Sequence, residues 1–310
     1  IRPSRYGRAK IQRLVSEKFK QGKKNGNFMI DIGVNINHTI FLDNLDQTFA
    51  EMQATGVKGM ICIASDYNES QQIQALSQHY PTMWNTLGCH PHQAKTWDSL
   101  SKERFSALIA NSKPVAIGET GLDFNRNYST PEEQLYAFHQ QIELALEHQL
   151  PLYLHERDAH KDMIAILKQH PELASKSVIH CFTGSRAELD NYLALGLFIG
   201  ITGWVCDERR GEDLQASVPH IPFDKLLLET DAPFLLPRNI RPRPKKNHPK
   251  YLPWVAEEVA KLQGISLDVL IQATIKNTET AFGIRVWNDE PLWGTKVKKI
   301  AATVDLPYSF

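Results

Sequence analysis

The chain has 310 residues, of which 42% are apolar, and its 35 Lys and Arg residues balance 35 Asp and Glu residues. This composition excludes an intrinsically disordered chain, and the absence of any run of about 18 apolar residues argues against a transmembrane helix. The widely spaced cysteines argue against a zinc knuckle and a disulfide scaffold and favour a reducing compartment, so we expect a cytoplasmic protein.

The neutral total hides a basic N-terminal segment. Residues 1–24 hold nine Lys and Arg residues against a single Glu. This segment has three interpretations: an added or upstream-translated extension, a basic arm that binds nucleic acid, or an organelle presequence. The first is favoured because the first clear strand opens at Met29. We therefore expect residues 1–28 to lie outside the folded domain.

Eight short apolar runs follow in chain order. Their shortness and their β-branched and aromatic content predict strands, and the connections are long enough for crossover helices. Clear helical patterns cover 46–55, 70–78 and 131–149, the last of which opens with a hydroxyl cap, a proline and two acids. The predicted strands are 28–34, 57–64, 83–88, 115–118, 152–154, 177–179, 197–202 and 226–228.

Eight strands that alternate with helices predict an all-parallel sheet. Residues 29–284 have the size of a (β/α)₈ TIM barrel, which leaves 285–310 as a C-terminal tail. A doubly wound open sheet is the alternative, but the GxGxxG fingerprint is absent after the first strand. We therefore predict an α/β protein with a TIM barrel.

Polar side chains follow most of the predicted strands. In a barrel the carboxyl ends of the strands meet at one mouth, so these side chains are expected to converge. A lone buried histidine is more often a hydrogen-bonded core residue, but several polar ends in register are costly to bury without partners. The set suits Zn²⁺, Mn²⁺ or Mg²⁺. It comprises His90 with His92, Glu119, His155, His180, and Glu229 with Asp231.

A basic loop follows the eighth predicted strand. Residues 237–249 hold five Lys and Arg residues and four prolines. The loops after strands seven and eight are the usual phosphate site of this fold, so a phosphate-bearing substrate is favoured over a merely solvated loop. In the preceding loop, the indole of Trp204 either stacks on a base or packs on the loop itself. Neither a phosphate-loop lysine motif nor GxSxG occurs, which argues against an NTPase and a serine hydrolase.

Five motifs in fixed order carry a family resemblance: GCHPH at 88–92, IGETGLD at 117–123, LH at 154–155, HCFTG at 180–184 and ETDAP at 229–233. Together they resemble the TatD family of metal-dependent deoxyribonucleases over about residues 29–284. The resemblance implies a barrel of the metallo-dependent hydrolase type. It also implies a 3′→5′ exonuclease that acts on single-stranded DNA or RNA with Mg²⁺ or Mn²⁺.

The resemblance assigns roles to individual residues. Metal ligands carry over to Glu119, His155 and His180, and Asp231 becomes a ligand or the proton acceptor. We expect Asp231 to take a proton from a metal-activated water. Mg²⁺ is the expected cofactor, with Mn²⁺ or Zn²⁺ as alternatives and one or two ions bound. The expected substrate-binding residues are His90, His92, Arg238, Arg241, Arg243 and Trp204.

One departure concerns the first strand. Many family members have a His-x-His pair there, after an Asp, whereas Gly33 and Asn35 stand at those positions here. Neither residue replaces an imidazole, so a two-metal site of that type is in doubt. Asp31 itself has two interpretations, a side chain that faces the mouth or part of an Asx-rich turn.

Two other functions stay open. A small-molecule amidohydrolase or lactonase could use the same barrel, although the basic loop argues against it. A non-catalytic nucleic-acid-binding protein is the second, although the complete ligand set argues against it. With a nuclease as the favoured function, we expect single-stranded DNA or RNA as the partner, no membrane association, and a monomer.

Overall fold

The computed structural model describes residues 28–286. The predicted basic extension, apart from its last residue, and nearly all of the predicted C-terminal tail therefore lie outside the described residues. Within 28–286, no helix has the length and apolar character needed to span a bilayer.

Eight parallel strands form one sheet, in which each strand pairs with the next along the chain. The ring closes through a parallel bridge between Val34 and Ala232, and the Asp231 N–H donates to the Gly33 carbonyl at 2.9 Å. This closure confirms the predicted TIM barrel and contradicts the open-sheet alternative. The strands are β1 (Met29–Val34), β2 (Val57–Cys62), β3 (Met83–Leu87), β4 (Ala116–Asp123), β5 (Leu152–Arg157), β6 (Val178–Ile179), β7 (Phe198–Ile201) and β8 (Leu226–Leu228).

Helices occupy the connections between strands. The predicted start of the longest one is confirmed: the Thr130 hydroxyl accepts from the Glu133 N–H, the Glu133 carboxylate accepts from the Thr130 N–H, and Pro131 opens the first turn. The other two predicted helices are also present, with shifted ends. The α-helices are α1 (Thr39–Leu42), α2 (Leu45–Ala54), α3 (Tyr67–Ser77), α4 (Ser101–Ala110), α5 (Pro131–His148), α6 (His160–Leu167), α7 (Pro171–Ala174), α8 (Arg186–Ala194), α9 (Glu212–Ser217), α10 (Leu252–Gln263) and α11 (Leu267–Phe282).

Two strands extend well beyond the predicted ends. The apolar runs stop before Glu119 on β4 and before His155 on β5, yet β4 continues to Asp123 and β5 to Arg157. The extra residues pair with each other, as in the register of Asp123 with Arg157. Polar side chains can continue a strand when the backbone ladder continues, so the prediction that Glu119 and His155 terminate their strands is wrong. Both lie inside paired strands, which fixes their positions.

An apolar layer closes the barrel beneath these polar residues. Val178 and Leu227 precede His180 and Glu229 by two positions, so each pair shares a strand face. Both apolar side chains belong to a buried cluster that also includes Phe282 at the end of α11. The mouth residues therefore rest on a packed floor rather than on an open channel.

Candidate active site

Inward-facing side chains form layers that rise towards the carboxyl ends of the strands. On β5, Tyr153, His155 and Arg157 lie at alternate positions and so share one strand face. Tyr153 is buried in the apolar layer, whereas His155 and Arg157 line a cavity of about 600 Å³ at the mouth, which we call the main cavity. Seven of the ten predicted site residues line it: His90, His92, Glu119, His155, His180, Trp204 and Asp231.

Glu119 is the centre of the cluster in the wall of this cavity. Its Oε1 atom lies 2.9 Å from His155 Nδ1, 3.1 Å from His180 Nε2 and 3.4 Å from His90 Nε2. One ligand atom each from His90, Glu119 and His155 can be chosen so that all lie within 4.8 Å of one another. One carboxylate among imidazoles is a donor set that fits a divalent cation. This group includes His90, expected only to contact substrate, and does not include the predicted ligand His180, although the His180 ring also contacts Glu119.

The charges in this cluster depend on one another. Burial alone would raise the pKa of Glu119, but the surrounding imidazoles of His90 and His180 hold it well below its usual range. Burial would lower the pKa of His155, yet hydrogen bonds with Asp123 and Glu119 raise it to about 9. A cation bound here must displace protons from such imidazoles, so its affinity should fall as the pH is lowered.

Asp123 holds two histidines in place. Its Oδ2 atom lies 2.7 Å from His92 Nε2 and 3.3 Å from His155 Nε2. Its Oδ1 atom accepts from the backbone N–H groups of Asn125 and Arg126. These hydrogen bonds outweigh the effect of burial and lower the pKa of Asp123 below its usual range. Asp123 therefore stays anionic and fixes the orientation of both rings.

Glu229 lies beneath the main cavity and does not line it. Its fully buried carboxylate accepts from the Tyr153 hydroxyl at 2.7 Å and from the Cys181 N–H at 2.5 Å, and it lies 3.0 Å from His180 Nδ1. It therefore does not line the mouth, where the strand-end prediction placed it. Because His180 Nδ1 is engaged by Glu229, its Nε2 faces Glu119.

Asp231 lines the main cavity on the side of β8 and β1. The Asn35 side-chain amide donates to its Oδ1 at 2.8 Å, and burial raises the pKa of Asp231 to about 7. Asp31, by contrast, is buried within β1 and accepts from the N–H and the hydroxyl of Thr230. Asp31 does not line the cavity, and although its carboxylate also accepts from the Gly33 N–H, as in an Asx turn, it lies within a strand rather than in a loop.

The space beside Gly33 is already filled. A Cβ atom at this position would collide with the Glu229 carboxylate and the Tyr153 hydroxyl. An imidazole could not be accommodated there without moving both groups. The structure therefore has no room for the first histidine of a His-x-His pair, and Asn35 uses its amide to hold Asp231.

The three predicted loop arginines do not line the main cavity. Arg238 lies 3.5 Å from the Asp207 carboxylate, which ties the loop after β8 to the loop after β7. Arg241 is exposed and donates to the carbonyls of Arg238 and Ile240. Arg243 lines a neighbouring cavity of about 240 Å³, which also includes Trp204.

Sequence reasoning missed Arg157 and Phe234. Arg157 is the one Lys or Arg, among residues 28–286, that lines the main cavity. Its signal was available, since it follows His155 by two residues on one strand. Phe234 also lines the cavity and leaves 52% of its surface exposed, next to the His38 ring.

Comparisons with known proteins match most of the described chain. The family model described as TatD related DNase matches residues 30–283. A protein of Klebsiella pneumoniae (strain 342) named 3′-5′ ssDNA/RNA exonuclease TatD is 48% identical over 260 residues, which cover 83% of this chain and 99% of that protein. A protein of the same name from Citrobacter rodentium (strain ICC168) is 47% identical over 258 residues, covering 83% and 98% of the two chains.

Among solved structures, the TatD homologue YjjV from Escherichia coli K12 superposes with a TM-score of 0.78. It is 27% identical in sequence, and the match covers 83% of this chain and 98% of that one. The family match, residues 30–283, contains every cavity residue described above.

Proposed function

This chain belongs to the TatD related DNase family, and on that premise we propose that it is a metal-dependent nuclease that removes nucleotides from the 3′ end of single-stranded DNA or RNA. The relatives that share almost half of its residues carry that activity in their names. The observation that carries the proposal is the Glu119 carboxylate among three imidazoles in the wall of the main cavity. Such a donor set lies where the active site of a TIM barrel is expected.

The cluster would hold one divalent cation. We propose Glu119, His155 and His180 as its main ligands, with His90 as a further donor and Mg²⁺, Mn²⁺ or Zn²⁺ as the ion. A bound cation supplies Lewis acidity, which polarises a phosphoryl oxygen and lowers the pKa of water. The crowded surroundings of Gly33 support a single site rather than the two-metal site of relatives with a His-x-His pair.

Asp231 is the proposed general base. It faces the main cavity from the side opposite β4 and β5, and Asn35 fixes the direction of its carboxylate. A carboxylate so oriented can accept a proton from the attacking water while the leaving 3′ oxygen separates from phosphorus. Positioning by Asn35 removes the need to reorient the base during the reaction.

Substrate contacts come from several sides of the cavity. Arg157 offers a cation to the scissile phosphate, and His92 offers a ring nitrogen at the same wall. Trp204 and Phe234 offer aromatic faces on which bases can stack regardless of sequence. The combination of the Arg157 guanidinium, a carboxylate-imidazole cluster and aromatic walls supports a phosphodiester substrate over a neutral amide or lactone.

The direct test is hydrolysis of a single-stranded oligonucleotide labelled at its 5′ end. We expect a ladder of products shortened from the 3′ end, complete loss of activity in excess EDTA, and recovery with Mg²⁺ or Mn²⁺. Parallel assays with Zn²⁺ and with an RNA strand define the metal and the sugar preference. Full activity in excess EDTA would refute the metal requirement. Hydrolysis of cyclic amides or esters alone would favour the amidohydrolase alternative, and binding without turnover would favour the non-catalytic one.

We further propose a monomer in a reducing compartment such as the cytoplasm. All four cysteines are free, and three of them are buried. Light scattering of the purified protein measures the oligomeric state, and a fluorescent fusion in cells measures the location.

A further inference from the structure

A second cavity adjoins the main one. It has a volume of about 240 Å³ and lies between the loops after β7 and β8, and we call it the side cavity. Trp204 and Leu235 line both cavities, so the indole forms part of the partition between them. A ligand that leaves the main cavity across Trp204 enters the side cavity directly. The remaining lining residues are Gly203, Asp207, Arg210, Leu236, Arg238 and Arg243.

The side cavity carries surplus positive charge. Arg210, Arg238 and Arg243 line it, against one acidic residue, Asp207. The buried Asp207 carboxylate accepts from Arg210 at 3.2 Å and lies 3.5 Å from Arg238. Within the part of the chain that the structure describes, no carboxylate lies within 4.0 Å of the Arg243 guanidinium. Arg243 is therefore a cation without a counter-ion among residues 28–286.

The partition itself suits a nucleic-acid base. The Arg210 guanidinium lies 4.5 Å from the centre of the Trp204 ring, so one indole face is held by a cation-π contact. A guanidinium held by Asp207 on one side and by the ring on the other keeps Trp204 in one orientation. A rigid aromatic surface loses little entropy when a base stacks on it.

We propose that the side cavity binds the nucleotide that lies on the 5′ side of the scissile bond, with its outer phosphate on Arg243 and its base on the face of the Trp204 indole that Arg210 leaves free. This inference rests on the proposed function and deepens it. In a 3′→5′ exonuclease only the 5′ side of the substrate extends beyond the reacting nucleotide. A basic, aromatic subsite next to the reaction cavity must therefore take nucleotides from that side.

The loop provides a matched control for this subsite. Lys245 lies two residues after Arg243, is also exposed, and lines neither cavity. The Lys245→Ala and Arg243→Ala variants each remove one positive charge from the same loop, but only Arg243 belongs to the subsite.

The experiment compares a thymidine dinucleotide, which has no phosphate beyond the scissile one, with a thymidine decanucleotide. Arg243→Ala should lower kcat/KM for the decanucleotide about fivefold, the effect of one partly exposed ionic contact. It should reduce the slope of log kcat/KM against log salt by about 0.7, and leave the dinucleotide unchanged. Lys245→Ala should leave both substrates near wild type, and Arg243→Lys should recover most of the loss.

The outcomes separate this inference from the proposed function. If wild type hydrolyses neither substrate, the nuclease proposal fails. If wild type hydrolyses both, but Arg243→Ala equals Lys245→Ala on the decanucleotide or impairs the dinucleotide equally, the side-cavity subsite is refuted. Circular dichroism of each variant confirms that the barrel is folded.

Discussion

The two halves of the mouth are built differently. On the half formed by β3 to β6, carboxylates and imidazoles contact one another directly, as in the pairs of Glu119 with His155 and Asp123 with His92. On the half formed by β7, β8 and β1, Asp231 is held by a neutral amide, and the lining residues include the aromatic rings of Trp204 and Phe234. The first half concentrates charge, and the second provides one oriented carboxylate and surfaces for stacking.

This difference teaches how the barrel separates two tasks. In the charged half, Glu119 and His155 lie on the paired strands β4 and β5 and have little freedom, as a bound cation requires. The other half lies mainly on loops after β7 and β8, where Trp204 and Phe234 offer stacking surfaces that tolerate different bases. Asp231 stands between them, since it follows β8 and faces the charged half across the cavity.

The largest effect is expected for substitution of Asp231. This substitution tests whether Asp231 acts as the base or, as a metal ligand, belongs with the charged half. Asp231→Asn preserves the shape but cannot accept a proton at neutral pH. Turnover should fall by about 10²–10⁴-fold while the oligonucleotide still binds. The measurement is kcat as a function of Mn²⁺ concentration, with the exposed Asp224→Asn as a control that should match wild type.

The metal dependence of that variant decides between roles. If high Mn²⁺ restores most of the rate, Asp231 is a ligand and belongs with the charged half. A kcat within about threefold of wild type at every Mn²⁺ concentration would eliminate both roles.

A smaller effect is expected for substitution of Arg157. Such an effect would show that the cation that binds the phosphate, the Arg157 guanidinium, lies in the charged half. Arg157→Ala should lower kcat/KM about 10- to 100-fold, as expected for loss of a hydrogen bond to a charged group. Added guanidinium should partly restore the rate, which a purely structural defect would not allow. Arg126→Ala is the control, because Arg126 is exposed on the neighbouring loop and does not line the cavity. Equal effects of the two variants would show that only general surface charge matters.

The smallest effect is expected from deleting residues 1–27, which should alter neither half. β1 begins at Met29, and all cavity residues described above follow it. We propose that residues 29–284 form the catalytic domain, so the shortened protein should retain its kcat within about twofold and its melting temperature. Insoluble or inactive protein after truncation would assign the N-terminal segment a structural role.

Sequence periodicity predicted the barrel well because its strands are short apolar runs that recur at regular spacing. It predicted the charged half for the same reason, since Glu119, His155 and His180 follow such runs directly. It failed at the strand ends because pairing between β4 and β5 continues past the apolar residues. Arg157 was not predicted as a site residue because it lies in the part of β5 that extends beyond the apolar run.

The other failures depend on contacts between segments distant in sequence. Glu229 follows its strand as directly as His180 does, but only the folded chain shows that the Tyr153 hydroxyl and His180 engage it below the cavity. Likewise, the arginines of the basic loop look equivalent in sequence. Asp207, from the preceding loop, distinguishes Arg238 from Arg243.

The narrow seam between β1 and β8 makes catalysis sensitive to partial unfolding. One β-bridge, a few backbone hydrogen bonds and the Asp31–Thr230 contact hold this seam together. Both Asn35 and Asp231 belong to it, so a local opening would misplace the base while the remaining strands stay paired. Under mild denaturation, enzymatic activity should therefore decline before the helical circular dichroism signal does.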